Sequence, residues 1–309
     1  MDISSATAFA PASVGNVGVG FDVLGHAFPA LGDRVRARRS TTPGVRITAI
    51  SGAAPDLPLE PGRNTAGRAV QSLLAGLRQH FGVDLSIEKG IPVGSGLGGS
   101  AASAVAAAVA VNELLDQPLA REALLPHAVA GEVAASGSPH ADNVAPALLG
   151  GLVLTVGPVA RRIPVPPAIR CVLVHPRLQL ETRAARRMLS PSVPLPDFVR
   201  QSANLAGVIA GCYAGDLDLI RAAFADVVIE PQRAPLVPGF ASVKAAALDA
   251  GAIGCSISGA GPSVFAWCEE GPAATILCAM QEAFASAGQE CDGWIAAVEA
   301  DGARVEERA

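Results

Sequence analysis

The chain has 309 residues, half of them apolar and 17% charged, with a net charge of -5, which excludes intrinsic disorder and leaves room for two domains. No basic cluster offers a nucleic-acid surface, no apolar run reaches the ~18 residues that span a bilayer, and the start, Met1-Asp2-Ile3-Ser4-Ser5, lacks a signal peptide's basic and apolar regions. The six cysteines, at 171, 212, 255, 268, 278 and 291, show no Cys-x-x-Cys spacing, so a cytoplasmic enzyme with reduced thiols is expected, without a nucleic-acid or membrane partner.

Val35-Arg36-Ala37-Arg38 and the run 45–50 alternate as strands do. A helix is expected over 64–81, with Asn64 as N-cap and Val70, Leu73, Leu74 and Leu77 at helical spacing. A short strand at 85–88 leads into a glycine-rich segment, and an alanine-rich helix runs from about Ser100 to Leu115. Another helix is expected over 119–135 and a buried strand over 148–156. The proline-rich stretch 157–167 cannot continue a helix and reads as a domain boundary, dividing the chain into 1–157 and 168–300. Beyond it come a strand at 171–174, helices over 182–189, 197–214, 216–227 and 239–250, and strands at 252–257 and 263–268 around a glycine turn. The polar tail from Asp301 is expected to fray. Helices and strands mix without a strict βαβ rhythm, so the class is α+β.

The segment Pro92-Val93-Gly94-Ser95-Gly96-Leu97-Gly98-Gly99-Ser100-Ala101-Ala102-Ser103 stands between a strand and a helix. Glycines let successive N–H groups converge on one anion, and the helix start adds its unpaired N–H groups and positive dipole end. That is a phosphate cradle, to which the Ser95 and Ser100 hydroxyls can add hydrogen bonds or a metal ligand. A Walker A loop would need Lys after the last glycine, where Ser-Ala stands. Gly94, Gly96 and Gly99 spell G-x-G-x-x-G, but a dinucleotide site needs a strand ending in an acid about 20 residues on, and helical sequence follows instead.

Pro92 to Ala101 resembles the P-x-x-x-G-L-G-S-S-A motif of the GHMP kinases, with Gly99 in place of the first Ser. The N-terminal run Ala10 to Gly25 and the C-terminal run Ser258 to Ala266 resemble that superfamily's other two motifs, in the same order. Within it, the N-terminal run, the runs His140 to Pro146 and Glu230 to Phe240, and the helix Thr182 to Leu189 resemble the homoserine kinase branch. Mevalonate-type members carry Lys where Ser13 stands, and the only lysines here are Lys89 and Lys244. The resemblance implies a ribosomal-S5-like N-terminal domain, a ferredoxin-like C-terminal domain and a site between them. It further implies ATP-dependent, Mg2+-assisted phosphorylation of the L-homoserine hydroxyl by direct in-line transfer, feeding threonine synthesis. The alternative is a GHMP kinase for another small alcohol, and a homodimer is left open.

Carried over residue by residue, the resemblance makes Pro92 through Ala102 the ATP loop (Pro92, Val93, Gly94, Ser95, Gly96, Leu97, Gly98, Gly99, Ser100, Ala101, Ala102), and Ser100 with Glu132 the Mg2+ ligands. Arg186 and Arg233 take the substrate carboxylate, a role that suits arginine's planar fork. Asp22 and Asp142 are the candidate partners for the ammonium and Asn16 and Asn143 those for the reacting hydroxyl; the resemblance implies no dedicated base of the Lys–Asp kind, with Asp142 the alternative as base. From the residues alone other readings stand beside these. Asp22 and Asn16 suit turns, Asp142-Asn143 suits a helix cap, and Arg186 with Arg183 and Arg187 suits a solvated helix face.

Overall fold

In the computed structural model, residues 3–79, 81–136 and 141–309 are described, and side chains within 134–136 are not; His140 lies outside them. The first half contains β1 (Ser5–Gly15), β2 (Leu24–Ser40), β3 (Val45–Gly52), α1 (Thr65–Gly76), β4 (Gly82–Lys89), α2 (Gly99–Asn112), α3 (Leu125–Ser136), α4 (Ala141–Leu149), β5 (Leu152–Val156) and β6 (Val159–Ile163). The second contains β7 (Ile169–Pro176), α5 (Thr182–Arg187), α6 (Leu195–Ala214), α7 (Leu217–Ala223), α8 (Glu230–Arg233), α9 (Phe240–Asp249), β8 (Gly254–Ile257), β9 (Val264–Glu269), α10 (Ala273–Ser286), β10 (Cys291–Ala297) and β11 (Arg304–Arg308). Among the described residues, no helix is long and apolar enough to cross a membrane.

One sheet runs β11-β1-β2-β4-β3, with the β5–β6 hairpin attached through β5 to the start of β2. Among the described residues, only β3 and β4 pair in parallel. The second sheet has the order β10-β7-β9-β8, which with α9 and α10 is the βαββαβ succession of a ferredoxin-like fold. The expected α+β class and both domain folds are therefore present. Helix α2 is the centre of the first half, buried along nearly its whole length among β1, β2, α1, α3 and α4. Alanine is the residue that permits this, because it favours the helix and lets neighbours approach closely on every side.

Asn64 caps α1 as expected, its side-chain oxygen accepting the Ala66 N–H at 3.0 Å. The strand expected from Leu148 starts only at Leu152. Leu148 and Leu149 end α4, and Gly150 and Gly151, both at positive φ, turn the chain between helix and strand. The tail does not fray: β11 pairs antiparallel with β1, and Arg308 reaches Glu113 at 2.7 Å. Its polar sequence is what an edge strand carries, with charge on the face left open to water. Between the sheets, His26 of β2 meets Trp267 of β9, whose indole N–H donates to His26 Nε2 at 3.2 Å. The bond fixes the tautomer, because His26 Nδ1, 2.9 Å from the Ala27 carbonyl, must then carry the proton. Burial pulls this imidazole down to a pKa of about 4.

Candidate active site

A cleft of about 740 Å3 opens beside the glycine-rich loop. Its lining brings together Asn16 and Asp22 from the β1–β2 turn, residues 92–100, Glu132 of α3, Asp142 and Asn143 of α4, Arg186 of α5 and Arg233 of α8. Every residue expected at the site is thus gathered in one place except two. Ala101 and Ala102 do not line the cleft; both are fully buried in the first turn of α2, where the Ala102 N–H is spent on the Gly98 carbonyl. Their role is to pack the helix that presents the loop, which is why small side chains stand there.

The loop's shape follows from its glycines. Gly94, Gly96 and Gly98 all adopt left-handed conformations, and Gly98 is the N-cap of α2. A side chain at Gly98 would overlap the Ser13 hydroxyl and press on Asn143. The loop is clasped from the second half of the chain by Ser258, whose hydroxyl donates to the Gly96 carbonyl at 2.8 Å. The Ser263 hydroxyl likewise donates to the Ser95 carbonyl at 2.7 Å. The Ser95 hydroxyl itself donates to the Pro92 carbonyl at 2.7 Å, so it braces the turn.

At the start of α2, the Ser100 hydroxyl donates to Glu132 Oε1 at 2.9 Å. One hydroxyl and one buried carboxylate beside a phosphate loop fit Mg2+, which keeps most of its waters and takes only one or two protein oxygens. Opposite them, the first turn of α4 settles over β1 and β2 where Gly15 and Gly25 pair across the ladder. A side chain on Gly15 would press on Asn143, and one on Gly25 would overlap the Asp142 carbonyl. The N-terminal motif's glycines therefore make the space in which these two residues enter the cleft. Asn143 accepts from the Ser13 hydroxyl at 3.0 Å and donates to Asp142 Oδ2 at 3.2 Å. Ser13 is thus a buried hydroxyl that orients an amide. Asn16 is held at both ends by backbone, donating to the Gly259 carbonyl at 2.9 Å and accepting the Asp22 N–H at 3.2 Å.

The other end of the cleft is cationic. Arg186 Nη2 donates to both carboxylate oxygens of Asp22 at 2.8 Å. Arg233, only 3% exposed, donates from Nη1 to the Gly259 carbonyl at 2.8 Å. Burial pulls the Arg233 guanidinium below its usual range; Asp22 opposes that shift and neighbouring Arg186 adds to it. It remains a cation, since arginine does not deprotonate in proteins.

Residues 64–151 match the GHMP kinases N terminal domain, and residues 208–286 match the GHMP kinases C terminal family. Similar curated proteins include a homoserine kinase of Xanthomonas campestris pv. campestris (strain B100), 53% identical over 98% of this chain and 94% of the relative. A homoserine kinase of Chlorobium phaeobacteroides is 46% identical over 96% of this chain and 98% of that protein. The chain belongs to the homoserine kinases, a branch of the GHMP kinases. A crystal structure of homoserine kinase from Cytophaga hutchinsonii aligns with a TM-score of 0.94 at 42% identity, covering 98% of both chains. A mevalonate kinase from L. major, 17% identical with a TM-score of 0.70, covers 94% of this chain and 95% of its own; it shares the fold.

A buried ion pair beside the loop belongs to none of the sequence motifs. Lys89, which lines the cleft, is 4% exposed and ion-paired to Asp33, which is fully buried. Lys89 also donates to the Gly99 carbonyl at 2.7 Å and the Ser103 hydroxyl at 2.8 Å. Asp33 in turn accepts the Gly90 and Ile91 N–H groups at 3.0 and 3.3 Å. The pair therefore ties the entry of the phosphate loop to its exit. In sequence the only available signal was the rarity of lysine, because the 56-residue separation of the partners hides the contact.

Proposed function

We propose that the chain transfers the γ-phosphoryl group of ATP to the side-chain hydroxyl of L-homoserine, releasing ADP and O-phospho-L-homoserine. The observation that carries this reading is the single cleft that joins a serine-bearing phosphate loop to two arginines beside an aspartate. A small zwitterionic alcohol needs exactly those two charge types at one end and a phosphate cradle at the other. Arg186 and Arg233 hold its carboxylate, Asp22 and Asp142 face its ammonium, and Asn143 and Asn16 stand toward the hydroxyl. The loop from Pro92 to Ser100 cradles the ATP phosphates. Ser100 and Glu132 are the residues that would hold Mg2+, which when bound neutralises phosphate charge as the leaving oxygen departs.

The chain's own contribution is positioning and fixed charge. Loop N–H groups and the start of α2 are already oriented before the substrates arrive, so little reorganisation is needed as charge develops. Asn143, braced by Ser13, holds its amide toward the attacking oxygen. The proton of the hydroxyl is assigned to Asp142, 2% exposed and hydrogen-bonded to Asn143, as the oxygen attacks in line. The ATP-binding unit spans 1–157 and the second unit 168–300, with strands β6 and β11 returning to the first sheet. The reaction belongs in threonine synthesis, in the cytoplasm.

The test is ADP release by purified protein with Mg-ATP, comparing L-homoserine with mevalonate, galactose, L-serine and L-threonine. Turnover with L-homoserine far above the others is expected. Turnover of another alcohol at an equal or higher rate, or none with any, overturns the assignment.

A further inference from the structure

The two arginines of the cleft share a support that does not itself touch the cleft. The Arg186 guanidinium carbon lies 5.3 Å from the centre of the Phe21 ring, and that of Arg233 lies 5.0 Å from the same centre. Both distances are within the range in which a cation is drawn to an aromatic face. Phe21 is half-buried and absent from the cleft lining, whereas Asp22, the next residue, lines it and grips Arg186. The turn that carries both is rigid: Asp22 sits at φ 60, and its N–H is held by Asn16, which is itself tied to the Gly259 carbonyl that Arg233 also holds.

The energetic problem is plain. Two like charges, one buried and one half-buried, are brought close together, and each repels the other, as the lowering of Arg233 by Arg186 records. Each guanidinium also buries its Nε without a hydrogen-bond partner. Asp22 grips Arg186, and Asp22, Asp226 and Asp142 each draw on Arg233, yet burial and the neighbouring guanidinium still work against its charge. A ring that presents negative π-density to both guanidinium groups lowers that cost, and it does so only at a fixed spacing. Leucine or methionine would fill the volume but supply no such field.

We infer that Phe21 is the positioning residue of the carboxylate end. Its ring sets the separation of Arg186 and Arg233, and through them it makes the site selective for an alcohol bearing a carboxylate. The inference rests on the amino-alcohol reading of the cleft and deepens it. Phe21 acts through the arginines and so is not a catalytic residue.

The decisive comparison uses Phe21→Leu, Phe21→Tyr and a chain carrying pentafluorophenylalanine at position 21, which keeps the ring's shape while removing its negative face. With L-homoserine, Phe21→Leu and the fluorinated chain should raise KM about 30-fold, as expected for two partly desolvated cation–π contacts, with kcat and the KM for ATP within about twofold. Phe21→Tyr should stay near wild type. With 3-aminopropan-1-ol, the same alcohol without its carboxylate, kcat/KM should be equal in all four proteins. An unchanged KM for L-homoserine in the fluorinated chain overturns the inference, as does an equal loss on the carboxylate-free alcohol. The fluorinated chain decides the matter even if Phe21→Leu does not fold. Wild-type protein that ignores L-homoserine sinks the amino-alcohol reading itself, which is a separate result.

Discussion

Acid should loosen this protein through His26. The ring is fully buried between the two sheets, and its Nε2 accepts the Trp267 indole N–H, so the folded chain holds it neutral. Its pKa falls from 6.5 to about 4 on folding, chiefly because burial penalises the charged form. The unfolded chain therefore binds more protons between those values. Stability is complete above pH 6.5 and is lost as pH drops through the window, with no further loss from this group below 4. At pH 5 the deficit from this one residue is about 2 kcal/mol, reckoned at about 1.4 kcal/mol per pH unit. The assay is urea unfolding of wild type and His26→Gln at pH 7.5 and 5. Glutamine retains an acceptor for Trp267 but cannot titrate, and any packing cost of the substitution cancels when each protein is compared with itself. The wild type should lose about 2 kcal/mol more than the variant over that interval. Equal losses would refute the reasoning and place the acid sensitivity in other groups.

The cleft yields four more expectations. Gly98→Ala forces a side chain into a left-handed position already filled by Ser13, so kcat should fall at least about 100-fold, with the change read from initial rates. Glu132→Gln should raise the Mg2+ concentration for half-maximal rate about 10- to 100-fold, as a magnesium titration would show; an unchanged requirement would remove Glu132 from the metal site. Asp142→Asn should abolish turnover while ATP binding by calorimetry stays intact, whereas a raised KM for L-homoserine with normal kcat would assign Asp142 to ammonium binding alone. Lys89→Met strands the Asp33 charge in the interior and should cost about 3–5 kcal/mol in chemical unfolding, much of it recovered by adding Asp33→Asn.

Short-range features were open to reading in the chain because they depend on neighbours in sequence. Asn64 as a cap, the glycines before α2 and the alanine-rich helix all act within a few residues, through backbone conformation and helix energetics. The glycine motifs, together with the other runs that resemble the family, likewise named residues that the fold gathers in the cleft, with the exception of Ala101 and Ala102. What escaped were matters of partnership. A polar tail looks the same whether it frays or pairs as an edge strand, and only the open hydrogen-bonding edge of β1 makes β11 a strand. Leu148 and Leu149 are as apolar as any strand residue, yet they finish α4, and the strand begins only after Gly150 and Gly151 have turned the chain. The Lys89–Asp33 pair, the Ser13 hydroxyl under Asn143 and the Phe21 ring shared by two arginines join residues from 56 to 212 positions apart. Local propensity set the short elements, and the motifs carried the resemblance that points to the chemistry. Tertiary packing alone decided which charges face one another, because burial leaves a polar or charged group stable only where another distant segment supplies its partner.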